Sequence, residues 1–194
     1  MKKARIAVLV SGGGTNLQAL LDAEQSGILQ SGEIVLVVSN NPNAYALERA
    51  ASAGVESAVL KGPGFEDALR DLLHERGIEL IILAGFMRIL SADFTAEWPE
   101  RILNVHPALI PSFCGKGFYG LRVHEAALER GVKVTGATVH FVNEIPDGGE
   151  IILQKAVEVF PGDTPELLQK RVMEQAEWIL LPRAAELVSK GIIK

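Results

Sequence analysis

The chain lacks the features that mark several large classes of protein. Its 194 residues include one cysteine, Cys114, so no intrachain disulfide can form, and a reducing interior suits it. No apolar run approaches the length of a membrane span; the longest are short stretches such as Leu80–Ala84. Basic charge is in deficit: 19 Lys and Arg against 24 Asp and Glu give a net charge of −5, so no overall positive field draws nucleic acid. No cleavable hydrophobic signal is expected either, because Met1-Lys2-Lys3 leads straight into the strand-like Arg5–Val10. Internal repeats, low-complexity tracts and inter-domain linkers are not found. What remains is a chain that is 48% hydrophobic, with apolar residues spread along its length. The expectation is one cytoplasmic domain over residues 1–194, large enough to bury a real core.

Short apolar runs alternate with amphipathic segments of helical length. Arg5–Val10 and Ile34–Ser39 read as buried strands, and between them Thr15–Glu24 carries Leu17, Leu20 and Leu21 at helical spacing. A helix over Ala44–Ala53 follows the Asn41-Pro42 turn signal. A strand near Ser57–Leu60, a helix over Phe65–Arg76 and a strand at Leu80–Ala84 continue the alternation. This β-α-β-α order predicts a doubly wound α/β fold, mostly parallel and Rossmann-like in its N-terminal half, with the strand C-termini on one rim. Beyond residue 100 the pattern changes. Ile102–Val105 is a short strand, Val123–Glu129 a helix, and Lys133–Val142 and Glu150–Phe160 are long alternating runs joined by an extended loop, compatible with an antiparallel pair. Asp163-Thr164-Pro165 is a helix start, from which a last helix runs towards Ser189.

Val10-Ser11-Gly12-Gly13-Gly14-Thr15-Asn16 joins the first strand to the first helix. A glycine turn there lets backbone N–H groups and the positive helix end converge on an anion, although a tight turn closing helix on sheet needs the same residues. As a dinucleotide fingerprint the loop fails, since Leu17 stands where the third glycine belongs and Ser39-Asn40-Asn41 offers no acid for a ribose. A Walker loop would need Lys-Ser/Thr after the glycines, and none follows. The loop suits a monophosphate.

Asn104-Val105-His106-Pro107 puts an amide and an imidazole on one face of an extended segment. Asn donates to a carbonyl oxygen that gains charge, and His donates or moves a proton. Asp147-Gly148-Gly149 adds a carboxylate on a turn, with His140 seven residues before it. Turn formation and a satisfied core histidine are the structural alternatives. No metal is expected, because Asp147, His106, His124 and His140 show no ligand spacing.

Across nearly the whole chain these segments resemble the phosphoribosylglycinamide formyltransferases, folate-dependent enzymes of purine synthesis. The resemblance rests on Ser11–Ala19, on Leu83-Ala84-Gly85-Phe86-Met87-Arg88-Ile89-Leu90, and on Asn104-Val105-His106-Pro107-Ala108-Leu109-Ile110-Pro111. Val139-His140-Phe141-Val142 with Asp147-Gly148-Gly149 completes it. It implies that the amine of glycinamide ribonucleotide attacks the formyl carbon of 10-formyltetrahydrofolate, the co-substrate. Asn104 and a protonated His106 would then stabilise the oxyanion while Asp147 orients His106 and assists proton transfer through water; on physical grounds an anion so close to the ring also keeps its cationic form populated. The substrate phosphate would lie on Gly14, Thr15 and Asn16, and Glu177 would contact the same nucleotide. Reaching Glu177 takes a one-residue shift relative to Arg171. Arg88, Ile89 and Leu90 would border the folate, with the loop Asn143–Asp147 on its other side. Ala108 stands where the family more often has serine. The partners implied are small molecules, with neither nucleic acid nor membrane.

Overall fold

The computed structural model describes residues 2–191. Met1 and residues 192–194, which the single-domain expectation includes, lie outside the described residues. The elements run β1 (Ala4–Val10), α1 (Thr15–Ser26), β2 (Gly32–Ser39), α2 (Ala46–Ser52), β3 (Glu56–Val59), α3 (Phe65–Glu75), β4 (Leu80–Leu83) and α4 (Ala92–Ala96). They continue with β5 (Ile102–His106), α5 (Leu121–Arg130), β6 (Val134–Phe141), β7 (Ile151–Glu158), α6 (Pro165–Val172), a π turn over Met173–Glu177, and α7 (Trp178–Ser189). All seven strands form one sheet in the order β3-β2-β1-β4-β5-β6-β7. The first five are mutually parallel, while β6 runs antiparallel to both β5 and β7. The mostly parallel α/β sheet agrees with the alternation read from the sequence.

The sheet is buried on both faces, which is why its central strands are apolar without a break. In β1, Ile6, Val8 and Val10 join the core beneath α1 and α7, whereas Ala7 and Leu9 join the core beneath α3 and α4. Strand order reverses between β1 and β4, so their C-terminal loops diverge and leave a crevice at the rim. The glycine turn after β1, the loop after β4 and the end of β5 all open there.

Two elements differ from the sequence expectation. The five residues of α4 are too few to show a period, and the helix is started by Ser91, whose side chain accepts from the Phe94 N–H. The last helix starts as expected, with the Thr164 side chain accepting from the Leu167 N–H, but it does not run unbroken to Ser189. The π turn interrupts it. Leu168 and Val172 before the turn, and Leu180, Leu181, Ala184, Ala185 and Val188 after it, all face one core. At about 100° per residue an unbroken α-helix would carry Val188 about 200° round from Leu168, to the opposite side. The wider π turn absorbs one extra residue and brings the apolar face back.

Candidate active site

Three consecutive carbonyls of the glycine turn are tied down on one side. Ser11 O accepts from Asn41 Nδ2 at 3.2 Å, Gly12 O from the Ala46 N–H at 3.1 Å, and Gly13 O from Arg49 Nε at 2.8 Å. In a trans peptide the next N–H points away from the carbonyl, so the N–H groups of Gly12, Gly13 and Gly14 turn away from α2. Beside them are the first N–H groups of α1, at Thr15 and Asn16, which have no intrahelical partner. The result is a concave set of donors at a positive helix end, suited to a phosphate. Gly14 itself is required by the fold. Its φ is +71°, and a Cβ there would sit 2.6 Å from Ala46 Cβ, whereas Gly12 and Gly13 face open space.

On the neighbouring strands the structure brings Asn104, His106 and Asp147 together. Asn104 pairs with His140, and His106 with Thr138, across β5 and β6. The chain after β6 then doubles back, so that Asp147 Oδ2 lies 3.6 Å from His106 Nδ1 and Oδ1 lies 3.5 Å from His140 Nε2. Asp147 holds a left-handed backbone, φ +56°, a conformation Asp tolerates better than most residues. Gly149 makes the return possible, since a Cβ there would fall 1.8 Å from the Phe141 carbonyl oxygen.

The partners of these groups were not legible in the motifs. His106 Nε2 lies 2.7 Å from Phe113 O, and a carbonyl only accepts, so the proton sits on Nε2. In the neutral ring Nδ1 is then a lone pair facing a carboxylate. The Gly115 N–H donates to Asp147 Oδ2 at 2.8 Å. His140 Nδ1 donates to Phe141 O at 2.7 Å, which leaves Nε2 to accept from Asn104 Nδ2 at 3.2 Å. One Asn104 N–H is thereby fixed and the other remains for a ligand. His140 therefore belongs to the site as the group that orients Asn104. Its place opposite Asn104 was the signal, visible once the strands are paired.

Burial pushes the His106 imidazole below its ordinary value, outweighing Asp147 and the Phe113 carbonyl, which raise it; His140 lowers it further. The expectation that Asp147 keeps this ring cationic is therefore corrected: desolvation outweighs the carboxylate and favours the neutral ring. Burial also raises the Asp147 carboxyl, but the nearby His140 ring, the Gly115 N–H bond and the nearby His106 leave it below the usual carboxylate range. The site is a carboxylate beside a neutral base with room for one proton between them. Among the described residues no group of three or more His, Cys, Asp or Glu is arranged to hold a metal ion.

Two loops border the rim. After β4, Arg88 stacks its guanidinium 4.4 Å over the Phe65 ring, Ile89 is 74% exposed and Leu90 is buried in the core. The Leu90 side chain is thus a core anchor, and only its backbone is available to a ligand. On the other loop Asn143 Oδ1 accepts from the Ile145 N–H, so its side chain serves the turn, and Ile145 is exposed. Phe86 and Val142, at the roots of the two loops, pack against the same core cluster. Exposed Met87, Ile89 and Ile145 offer apolar surface suited to a flat ring.

Glu177 reaches the glycine turn from the far end of the chain. Asn16 Nδ2 donates to its Oε2 at 2.8 Å, and both side chains are buried. Burial raises the Glu177 carboxyl, only partly offset by Asn16.

Residues 4–184 match the family model described as formyl transferase. The chain belongs to the formyl transferase family. Among curated members it is 41% identical to the phosphoribosylglycinamide formyltransferase of Haemophilus influenzae, over 100% of this chain and 90% of that one. It is 45% identical to the human trifunctional purine biosynthetic protein adenosine-3, over 100% of this chain but 19% of that protein. The chain thus spans only 14% to 19% of the length of the trifunctional relatives it matches. The crystal structure of glycinamide ribonucleotide transformylase 1 from Symbiobacterium toebii superposes with a TM-score of 0.90 at 42% identity, covering 97% of this chain and 89% of that one. No helix among the described residues is long and apolar enough to cross a membrane.

Proposed function

We propose that this chain, as one formyltransferase domain over residues 1–194, transfers the formyl group of 10-formyltetrahydrofolate to the amine of glycinamide ribonucleotide, giving formylglycinamide ribonucleotide and tetrahydrofolate in purine synthesis. The observation that carries the reading is the pairing of two sites on one rim: an anion nest on the glycine turn, and a neutral imidazole beside a carboxylate and an oriented amide. Near full-length similarity to the Haemophilus influenzae enzyme supports the choice of substrate.

Gly14, Thr15 and Asn16 hold the phosphate through backbone N–H groups, and Glu177 contacts the same nucleotide. The folate lies between the loop that carries Arg88, Ile89 and Leu90 and the loop from Asn143 to Asp147, and supplies the formyl carbon. The free N–H of Asn104 meets the formyl oxygen as the amine attacks and a C–N bond forms. At 3.6 Å the His106–Asp147 separation is too long for a hydrogen bond, so Nδ1 is open to accept the proton that the amine loses. Asp147 stabilises the imidazolium that results, which then becomes a second donor to the oxyanion. The proton finally passes to the folate nitrogen as its bond to the carbon breaks. Desolvation is thus part of the mechanism, because a ring already cationic could not take that proton. Small molecules are the partners, and the cytoplasm is the compartment that a single unpaired cysteine suits.

The test offers 10-formyltetrahydrofolate with glycinamide ribonucleotide and identifies the products by mass spectrometry. Formylglycinamide ribonucleotide with tetrahydrofolate in equal amounts is expected. Formate in place of the formylated amine would mean a hydrolase, and intact donor would end the proposal.

A further inference from the structure

The one-residue excess between Arg171 and Glu177 is taken up by the π turn, and Glu177 is its last residue. Packing alone asks for one extra residue somewhere between Val172 and Leu180. The extra residue falls where it also decides the direction of a single polar side chain. In an unbroken helix Glu177 would lie about 180° round from Leu168, away from the core face that α6 and α7 share. After the π turn it lies on that face and contacts Asn16, 161 residues away. Asn16 Oδ1 is itself buried with no partner among the described residues, so the pair presents open hydrogen-bonding capacity beside the nest. A buried carboxyl with a single partner is costly, and π turns recur where such costs serve a site.

We infer that the π turn at Met173–Glu177 is a positioning device for nucleotide selection: it seats the Glu177 carboxyl against Asn16, at the edge of the phosphate nest. This rests on the proposed function for the identity of the nucleotide, but not for the placement of the carboxyl. Ile179, just past the turn, is exposed, so a residue can be removed there without opening a hole in the core, and the unbroken helix then turns Glu177 outward.

Deletion of Ile179, which lets the helix run unbroken through Glu177 and keeps α7 in phase, and the substitution Glu177→Ala test it, singly and together. Each alone is expected to raise the KM for glycinamide ribonucleotide about tenfold, with kcat at saturation within a fewfold and the folate KM unchanged. Together they are expected to do no more than the deletion, because the carboxyl has already left. Carbon-13 NMR of labelled glutamate gives a readout independent of any substrate: the Glu177 carboxyl titrates above the ordinary range in the parent and within it after the deletion. A folded deletion variant with unaltered KM and unaltered Glu177 titration would overturn the inference, as would additive effects of the two changes. If the deletion variant does not fold, amide hydrogen exchange on the parent decides. Slower exchange over residues 173–177 on binding glycinamide ribonucleotide is expected, and unchanged exchange at saturation overturns the inference. A parent that binds the nucleotide without transferring formyl would sink the functional reading alone.

Discussion

Asp147 faces His106 at 3.6 Å, close enough to hold a cation on the ring and too far to occupy its Nδ1. For the proposed function, this spacing is what separates a proton relay from a permanent ion pair. A tight hydrogen bond would fix a proton on Nδ1 at rest and block the base. In the proposed reaction, the carboxylate at this distance acts on the charged ring that forms as the amine loses its proton.

Asp147→Asn is therefore expected to fold, because Asn also accepts a left-handed backbone, and to bind glycinamide ribonucleotide as before. Turnover is expected to fall by about two orders of magnitude, equivalent to roughly 3 kcal/mol of transition-state stabilisation. Steady-state rates beside calorimetric binding and thermal unfolding check it. A rate within a fewfold of the parent would reduce Asp147 to a turn former.

The sign of the His106 shift gives a second test. Burial lowers the ring and Asp147 opposes that, so removing the charge lets the ring fall further. Histidine-selective NMR is expected to find His106 titrating below its ordinary 6.5 in the parent and lower still in Asp147→Asn. A rise in the variant would contradict the geometry.

Gly13 is the clean probe of the phosphate nest. A Cβ at Gly14 would strike Ala46 and strain a positive φ, so substitution there damages fold and site together. A Cβ at Gly13 meets no protein atom. Gly13→Ala is expected to leave the unfolding midpoint nearly unchanged while raising the KM for the nucleotide about tenfold and leaving that for the folate alone. Equal loss of both affinities would argue against a nest reserved for phosphate.

His124 makes stability depend on pH. It is fully buried in α5, both its ring nitrogens lack partners among the described residues, and burial, with a smaller effect of His106, pushes it down to about 4 from 6.5. The unfolded chain takes up this proton near pH 6.5 and the folded chain only near 4, so stability is lost as pH falls between the two, by about 3 kcal/mol. His124→Gln cannot titrate, and its urea midpoint is expected to fall less steeply than the parent's over that interval. Parallel slopes would show that the acid sensitivity resides elsewhere.

Much was legible before the structure. Strand and helix order follows from short-range apolar periodicity, and β1, α1, β2 and β4 lie within two residues of where the pattern put them. The glycine turn and the Asn104-to-His106 spacing are local chemistry, readable because a turn or a strand face is fixed by adjacent residues. The interruption of the last helix was visible only as a residue too many near Glu177, since a π turn has no composition of its own.

What the sequence determined by itself was therefore the alternation, the turn chemistry and the residue types that carry the site, all set by neighbours in the chain. Tertiary structure alone decided how those residues are used. Asn16 meets Glu177 across 161 residues and Asp147 meets the Gly115 N–H across 32, contacts that no local period encodes. The charge state of His106 was decided there too, because desolvation depends on everything that surrounds a ring, and here it outweighs the carboxylate that the motif had placed beside it.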